Sequence, residues 1–147
     1  LISPADFKEL YLPFYREQFR WIHENTNWKT FQHCCGSIAK ILPFLVNAGL
    51  DIINPVQTSA YGMEPKWLKE QFADRITFWG GGVDTQKTLP FGTPEEVSKE
   101  VEERIKVFAP GGGFVFCAIH NIQCGVPIDN ILAAFKTAYH CGQYRVI

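Results

Sequence analysis

Two periods of hydrophobicity alternate along this chain. Val97, Val101, Ile105 and Phe108 recur at steps of four, four and three residues, which marks one face of a helix. Thr93-Pro94-Glu95-Glu96 ahead of them is a capping box with proline at the first helical position. The spacing therefore predicts a helix that starts there and ends at PGGG, residues 110–113. Other runs are mostly apolar on both parities: TFQ, DII, ITFW and FVFCAI. Strands buried on both faces have this pattern. A first helix runs from Pro4 through Asn25, with Ser3 as its cap, Asp6 suited to its N-terminus and Pro13 as an early break or restart. A strand over 28–35 leads to a helix over 37–49, with Gly49 near its C-cap and Pro43 imposing a kink or a late start. A strand over 50–57, a short helix over 64–74 and a strand over 75–86 entering a glycine-rich loop come next. A strand over 112–123 and a helix over 127–142, stopped by Gly142, complete the pattern.

The order αβαβαβαβα predicts one α/β domain, a parallel sheet covered by helices. No tandem repeat, low-complexity tract or flexible linker interrupts it. Each predicted strand ends in polar or glycine residues: HCCG, NPVQ, GGGVDTQ and HNIQ. Ligands of parallel α/β folds bind beyond the carboxyl ends of the strands. Those ends present His33, Cys35, Asn54, Gln57, Asp84, Gln86, His120, Asn121 and Gln123. Any single Asn, Asp or Gln there has a turn-forming reason. Two imidazoles and a thiol at matching strand ends fit that reading less well.

Composition narrows the class. The 147 residues are 46% hydrophobic and 14% aromatic, enough for a folded domain with a core. Lys plus Arg is 14 and Asp plus Glu is 15, so the formal net charge of −1 offers no footprint for nucleic acid or an anionic membrane. No apolar run is long enough to span a bilayer. The start, LISPADFKEL, lacks the basic flank and apolar centre of a signal peptide. Five cysteines, an odd number in a chain too large to need staples, point to a reducing cytoplasm.

The stretch FQHCCG carries the candidate chemistry. Alternation puts Phe31, His33 and Cys35 on one face of the strand and Gln32 and Cys34 on the other. His33 and Cys35 can then address one metal ion, while Cys34 faces the helices as a small hydrophobe. The same parity groups Phe116, Ala118 and His120, which makes His120 the third inward ligand and sends Cys117 into the core. Zinc takes such nitrogen and sulfur ligands tetrahedrally, and a catalytic zinc keeps one position open. A metal-bound thiol is held as thiolate, the nucleophilic form. On spacing alone, a strand end with incidental Cys and His is the plainer reading, because H-x-C is a short motif. A nucleophilic Cys35 paired with His33 is disfavoured, since same-face neighbours on one strand rarely reach each other as a triad does. His23 and His140 read as surface or capping groups, and Trp21, Trp28, Trp67 and Trp79 as core or rim packing. GGG at 80–82 lacks a phosphate-loop lysine and serine, so close backbone packing is its expected role.

Together HCCG, AGLDIINPVQ, RITFWGGGVDTQKTLPFGTPEEV and PGGGFVFCAIHNIQCGVPIDNI resemble the C-terminal half of the uroporphyrinogen decarboxylase superfamily, over nearly the whole chain. The resemblance implies a (β/α)8 TIM barrel, of which residues 1–147 are the last four strands and their helices. Half a barrel implies a missing N-terminal half or self-association, because its edges and apolar face are open. Corrinoid-linked methyltransferases of this superfamily hold zinc through a His-x-Cys pair and a later cysteine. His33 and Cys35 match the pair. Counted back from the VP of VPIDN, His120 stands where the later cysteine is, a departure for which Cys117 and Cys124 are alternative ligands. The implied activity, for the complete barrel, moves a methyl group between a corrinoid on a partner protein and a small thiol acceptor. Zinc would sit on His33, Cys35 and His120; His120 and Asp84 would be catalytic; Gln57, Asn54, Gln86 and Gln123 would bind substrate. The alternative is a decarboxylase of tetrapyrrole metabolism, which uses no metal or cofactor. His120 then matches a histidine of the last strand's loop, but Arg16, Arg20, Arg75, Arg104 and Arg145 all lie away from strand C-termini. A third reading is a half-barrel without activity of its own.

Overall fold

Four short strands lie side by side in the order of the chain: β1 (Phe31–His33), β2 (Ile52–Asn54), β3 (Thr77–Trp79) and β4 (Phe114–Val115). All pairs are parallel, with His33 opposite Asn54, Ile53 opposite Phe78 and Phe78 opposite Phe114. The computed structural model describes residues 2–143. This is the half TIM barrel expected, a parallel sheet with its helices on one side. Arg145 lies outside the described residues.

The helices begin where the sequence supplies caps. Ser3 Oγ accepts from the Asp6 N–H at 3.1 Å and opens α1 (Pro4–Leu10). The chain then restarts at Tyr11 as α2 (Leu12–Asn25), with Pro13 in its first turn. The late start expected at Pro43 is found too: α3 covers only Leu42–Asn47. Next come α4 (Pro65–Phe72), a short α5 (Thr88–Phe91) that the pattern did not predict, and α6 (Pro94–Phe108), whose capping box forms as expected. The last helix is α7 (Ile128–Cys141). None of the described helices is long and apolar enough to cross a membrane.

One face of the sheet is dry. Ile53 and Phe78 are buried beneath Leu42 and Leu45 of α3, Leu68 and Phe72 of α4 and Phe108 of α6. The four periodic residues of α6 are all buried; Val97, Val101 and Ile105 form a second cluster with Val83, Leu89 and Ala134. Lys69 of α4 donates to the carbonyls of Phe108 and Gly112 at 2.7 and 2.9 Å, so its ammonium caps the C-terminus of α6. The other face stays open. Phe31 and Trp79 meet there edge to face, 5.5 Å between ring centres, and both are exposed. Ile128, Leu132, Phe135 and Tyr139 leave a second bare apolar stripe along α7. Of the core or rim packing expected for Trp21 and Trp28, core packing is excluded: they are 59% and 73% exposed. Trp67 does pack, edge to face on Phe72.

At the opposite end of the sheet from HCCG, Asp51 gathers His23 Nε2 and the Thr30 N–H, each at 2.7 Å, and the Thr30 hydroxyl at 3.0 Å. His23 is thus an anchor between α2 and the start of β2. Burial alone would push the Asp51 carboxyl up; the Thr30 backbone and the His23 and Thr30 side chains outweigh it and hold it below the usual aspartate value. A lowered carboxylate pKa stabilises the fold above the unfolded value, about 3.9, and loses that contribution as pH falls through the folded one. The stability gap between wild type and Asp51→Asn, from urea unfolding, is expected to be widest near neutrality and to shrink towards pH 3. A gap unchanged across that range would contradict this account.

Candidate functional site

Beyond the C-terminal ends of the strands lie two adjoining clefts. The first, about 400 Å³, is lined by His33, Asn54, Cys117 and His120, with Pro55, Ile122 and Phe135 as apolar wall. The second, about 290 Å³, is lined by Gln57, Gln86, His120, Asn121 and Gln123 among others. His120 and Asn121 border both. A larger groove of about 560 Å³ lies elsewhere, along α6, and its walls mix acids and bases without an imidazole or thiol.

β1 ends by presenting His33 and Cys35 together. Cys35 Sγ is 3.3 Å from His33 Nε2, so the two same-face neighbours do reach each other, against the expectation from strand spacing. On the other side of the ring, His33 Nδ1 is 2.7 Å from Asn54 Oδ1, and Asn54 Nδ2 donates to the Trp79 carbonyl at 3.0 Å. Gln57 Oε1 accepts from the Gly36 N–H at 2.8 Å and so pins the turn that follows Cys35. Cys34 packs against the helix-side core, as its parity predicts, and burial first, then neighbouring Cys35, pushes its thiol up.

The last strand differs from the expectation. Its backbone keeps pairing past β4, through Gly80 N–H to Val115 O, Gly82 N–H to Cys117 O and Ile119 N–H to Val83 O. Phe114 stacks on buried Phe108, and Phe116 and Ala118 pack towards α6 and α7. Phe116 and Ala118 therefore face the helices, and Cys117 faces the cleft shared with His33. Its thiol donates to the Ala118 carbonyl at 3.3 Å, and burial pushes its pKa up. His120 reaches the clefts from an irregular loop instead of by strand alternation. Among the described residues no three His, Cys, Asp or Glu side chains gather closely enough to hold a metal, so His120 does not close on His33 and Cys35. Cys124 is exposed and lines neither cleft.

Asp84 is placed apart from these groups. It is buried, accepts from the Gln86 N–H at 2.7 Å, and lines the groove along α6. That is a turn-forming role. The glycines at 80–82 are closely packed, as expected, Gly81 against the Val56 carbonyl and its two neighbours against side chains. A Cβ on Gly82 would overlap the Phe116 ring and lie 2.9 Å from the Cys117 carbonyl; one on Gly80 would lie 3.3 Å from Cys117 Sγ. The bare Gly80 was the available signal that Cys117 turns towards the cleft.

A family model described as uroporphyrinogen decarboxylase (URO-D) matches residues 1–140. Over 133 residues, 90% of this chain, the sequence is 26% identical to the methylated-thiol–coenzyme M methyltransferase of Methanosarcina mazei. The match covers 32% of that relative, so the chain spans about a third of its length.

Proposed function

Since the chain belongs to the uroporphyrinogen decarboxylase family, we propose that it is the C-terminal half of a (β/α)8 barrel that transfers a methyl group between a corrinoid, carried by a partner protein, and a small thiol. The observation that carries this reading is the His33–Cys35 pair, Nε2 and Sγ 3.3 Å apart at the strand end that opens into the cleft. One imidazole nitrogen and one thiol sulfur at such a place suit zinc; no third donor stands with them among the described residues, so a further ligand would have to come from a shift of Cys117, which lines the same cleft as His33, or from outside this chain. Zinc, when bound, supplies the charge that holds an acceptor thiol as its thiolate.

The chain's own groups do the rest. Pro55, Ile122 and Phe135 give the cleft beside His33 an apolar wall, while Cys35 stands exposed at its margin. Gln57, Gln86, Asn121 and Gln123 offer amide donors and acceptors that orient the substrate in the adjoining cleft. His120, at the junction of the two, is the group placed to hold a proton beside the reacting thiol. The bare Phe31–Trp79 face and the α7 stripe support a barrel completed by sequence outside this chain. Among the described residues no arginine or lysine borders either cleft, which leaves the carboxylates of a tetrapyrrole without a counter-charge here.

Metal analysis of the full-length protein tests the reading. Wild type is expected to carry about one zinc per chain, as a single catalytic site requires, and Cys35→Ala to lose it. A folded wild type that neither contains zinc nor takes it up would overturn the proposal.

A further inference from the structure

Asn54 was expected to touch substrate, yet its amide is engaged at both ends. Its Nδ2 lies 3.0 Å from the Trp79 carbonyl and its Oδ1 lies 2.7 Å from His33 Nδ1. A carbonyl oxygen only accepts, so the NH2 of the amide must face Trp79 and the amide oxygen must face His33. An oxygen at that place demands a hydrogen on Nδ1. A neutral imidazole has only one N–H, so the lone pair is left on Nε2. It is Nε2 that faces Cys35 Sγ. The row is built into the sheet: His33 and Asn54 are register partners across β1 and β2, and Trp79 ends β3 beside them.

We propose that Asn54 is a positioning residue: locked by the Trp79 carbonyl, it holds His33 in the Nδ1–H tautomer and leaves the Nε2 lone pair facing Cys35 Sγ, free to serve with that sulfur as a ligand for a divalent cation. The affinity part rests on the metal-site reading above; the tautomer part stands on the hydrogen bonds alone. Ligand histidines commonly have such a partner on their second nitrogen, and its removal costs 10–100-fold in metal affinity.

The test compares full-length wild type, Asn54→Leu and Asn54→Asp by two measurements. The first is the ring-nitrogen chemical shifts of neutral His33 in metal-free protein. The second is zinc affinity by competition with a chelator. Wild type should show the Nδ1–H tautomer. Asn54→Leu should populate the other tautomer and bind zinc about 10-fold or more weakly. Asn54→Asp keeps an acceptor opposite Nδ1 and should keep the wild-type tautomer. If Asn54→Leu does not fold, Asn54→Ser, whose hydroxyl is too short to bridge the row, replaces it with the same expected result. A leucine or serine variant with wild-type tautomer and wild-type affinity overturns the proposal. A wild type that binds no zinc removes the methyltransferase reading, and the tautomer comparison then decides the role of Asn54 by itself.

Discussion

Phe108→Ala is expected to lower the unfolding free energy by about 3–5 kcal/mol, the range for removing a fully buried aromatic ring. Phe108 is wholly buried at the end of α6. Its ring centre lies 5.1 Å from that of Phe78 on β3 and 5.2 Å from that of Phe114 on β4, with which it stacks. The side chain thus joins one helix to two neighbouring strands. Its loss leaves a cavity between elements that cannot close without shifting the ladder. Phe108→Leu keeps most of the volume and should lose distinctly less. Urea unfolding of the three proteins measures both differences. An alanine variant within about 1 kcal/mol of wild type, the typical effect of an ordinary substitution, would show that the ring is not a keystone of the core.

Asn130→Leu should cost roughly 3 kcal/mol for a different reason, since each buried carbonyl left without its donor costs about 1–3 kcal/mol. Asn130 is 1% exposed, and its Nδ2 donates to the carbonyls of Leu89 and Gly92 at 2.9 and 2.8 Å. Those carbonyls lie within and just after α5, a four-residue helix whose Leu89 is its buried anchor in the second cluster. Leucine nearly matches asparagine in shape, so a large loss reports the missing hydrogen bonds and not a cavity. Asn130→Asp is expected to be at least as damaging, because a carboxylate would face two carbonyl oxygens. Amide hydrogen exchange of Leu89, Phe91 and Gly92 should quicken in both variants. Unaltered protection there would mean that α5 is held by other contacts.

The same asparagine shows where sequence reading succeeds and where it stops. VPIDN was legible as a motif, but the partners of Asn130 are some forty residues away in the chain, beyond any local pattern. What local chemistry dictates was legible throughout. The capping box at Thr93, the break near Pro13 and the late helix at Pro43 all depend on a few adjacent residues. Strand parity was legible at β1, where polar His33 and Cys35 alternate with half-buried Cys34. It was misread at FVFCAI, because a segment apolar on both parities does not say which face is which. There the deciding facts are the register of Phe78 with Phe114 and the room left by Gly80 for Cys117. At Asp84 the sequence could not separate a turn-forming carboxylate from a catalytic one; the structure adds the Gln86 N–H against it and its place on the groove along α6. Trp21 and Trp28 read as packing residues because large aromatics usually are buried, and on an open half-barrel they are not.

The order of the sheet bears on how the molecule is made. Each strand pairs with the one synthesised before it, from β1 to β4, and none lies between two earlier strands. A chain leaving the ribosome can therefore pair β2 with β1 while β3 is still being translated, and cover each ladder with the helix that follows. The growing edge is always the newest strand. Translation and sheet extension run in the same direction, so no completed pair has to open to admit a later strand.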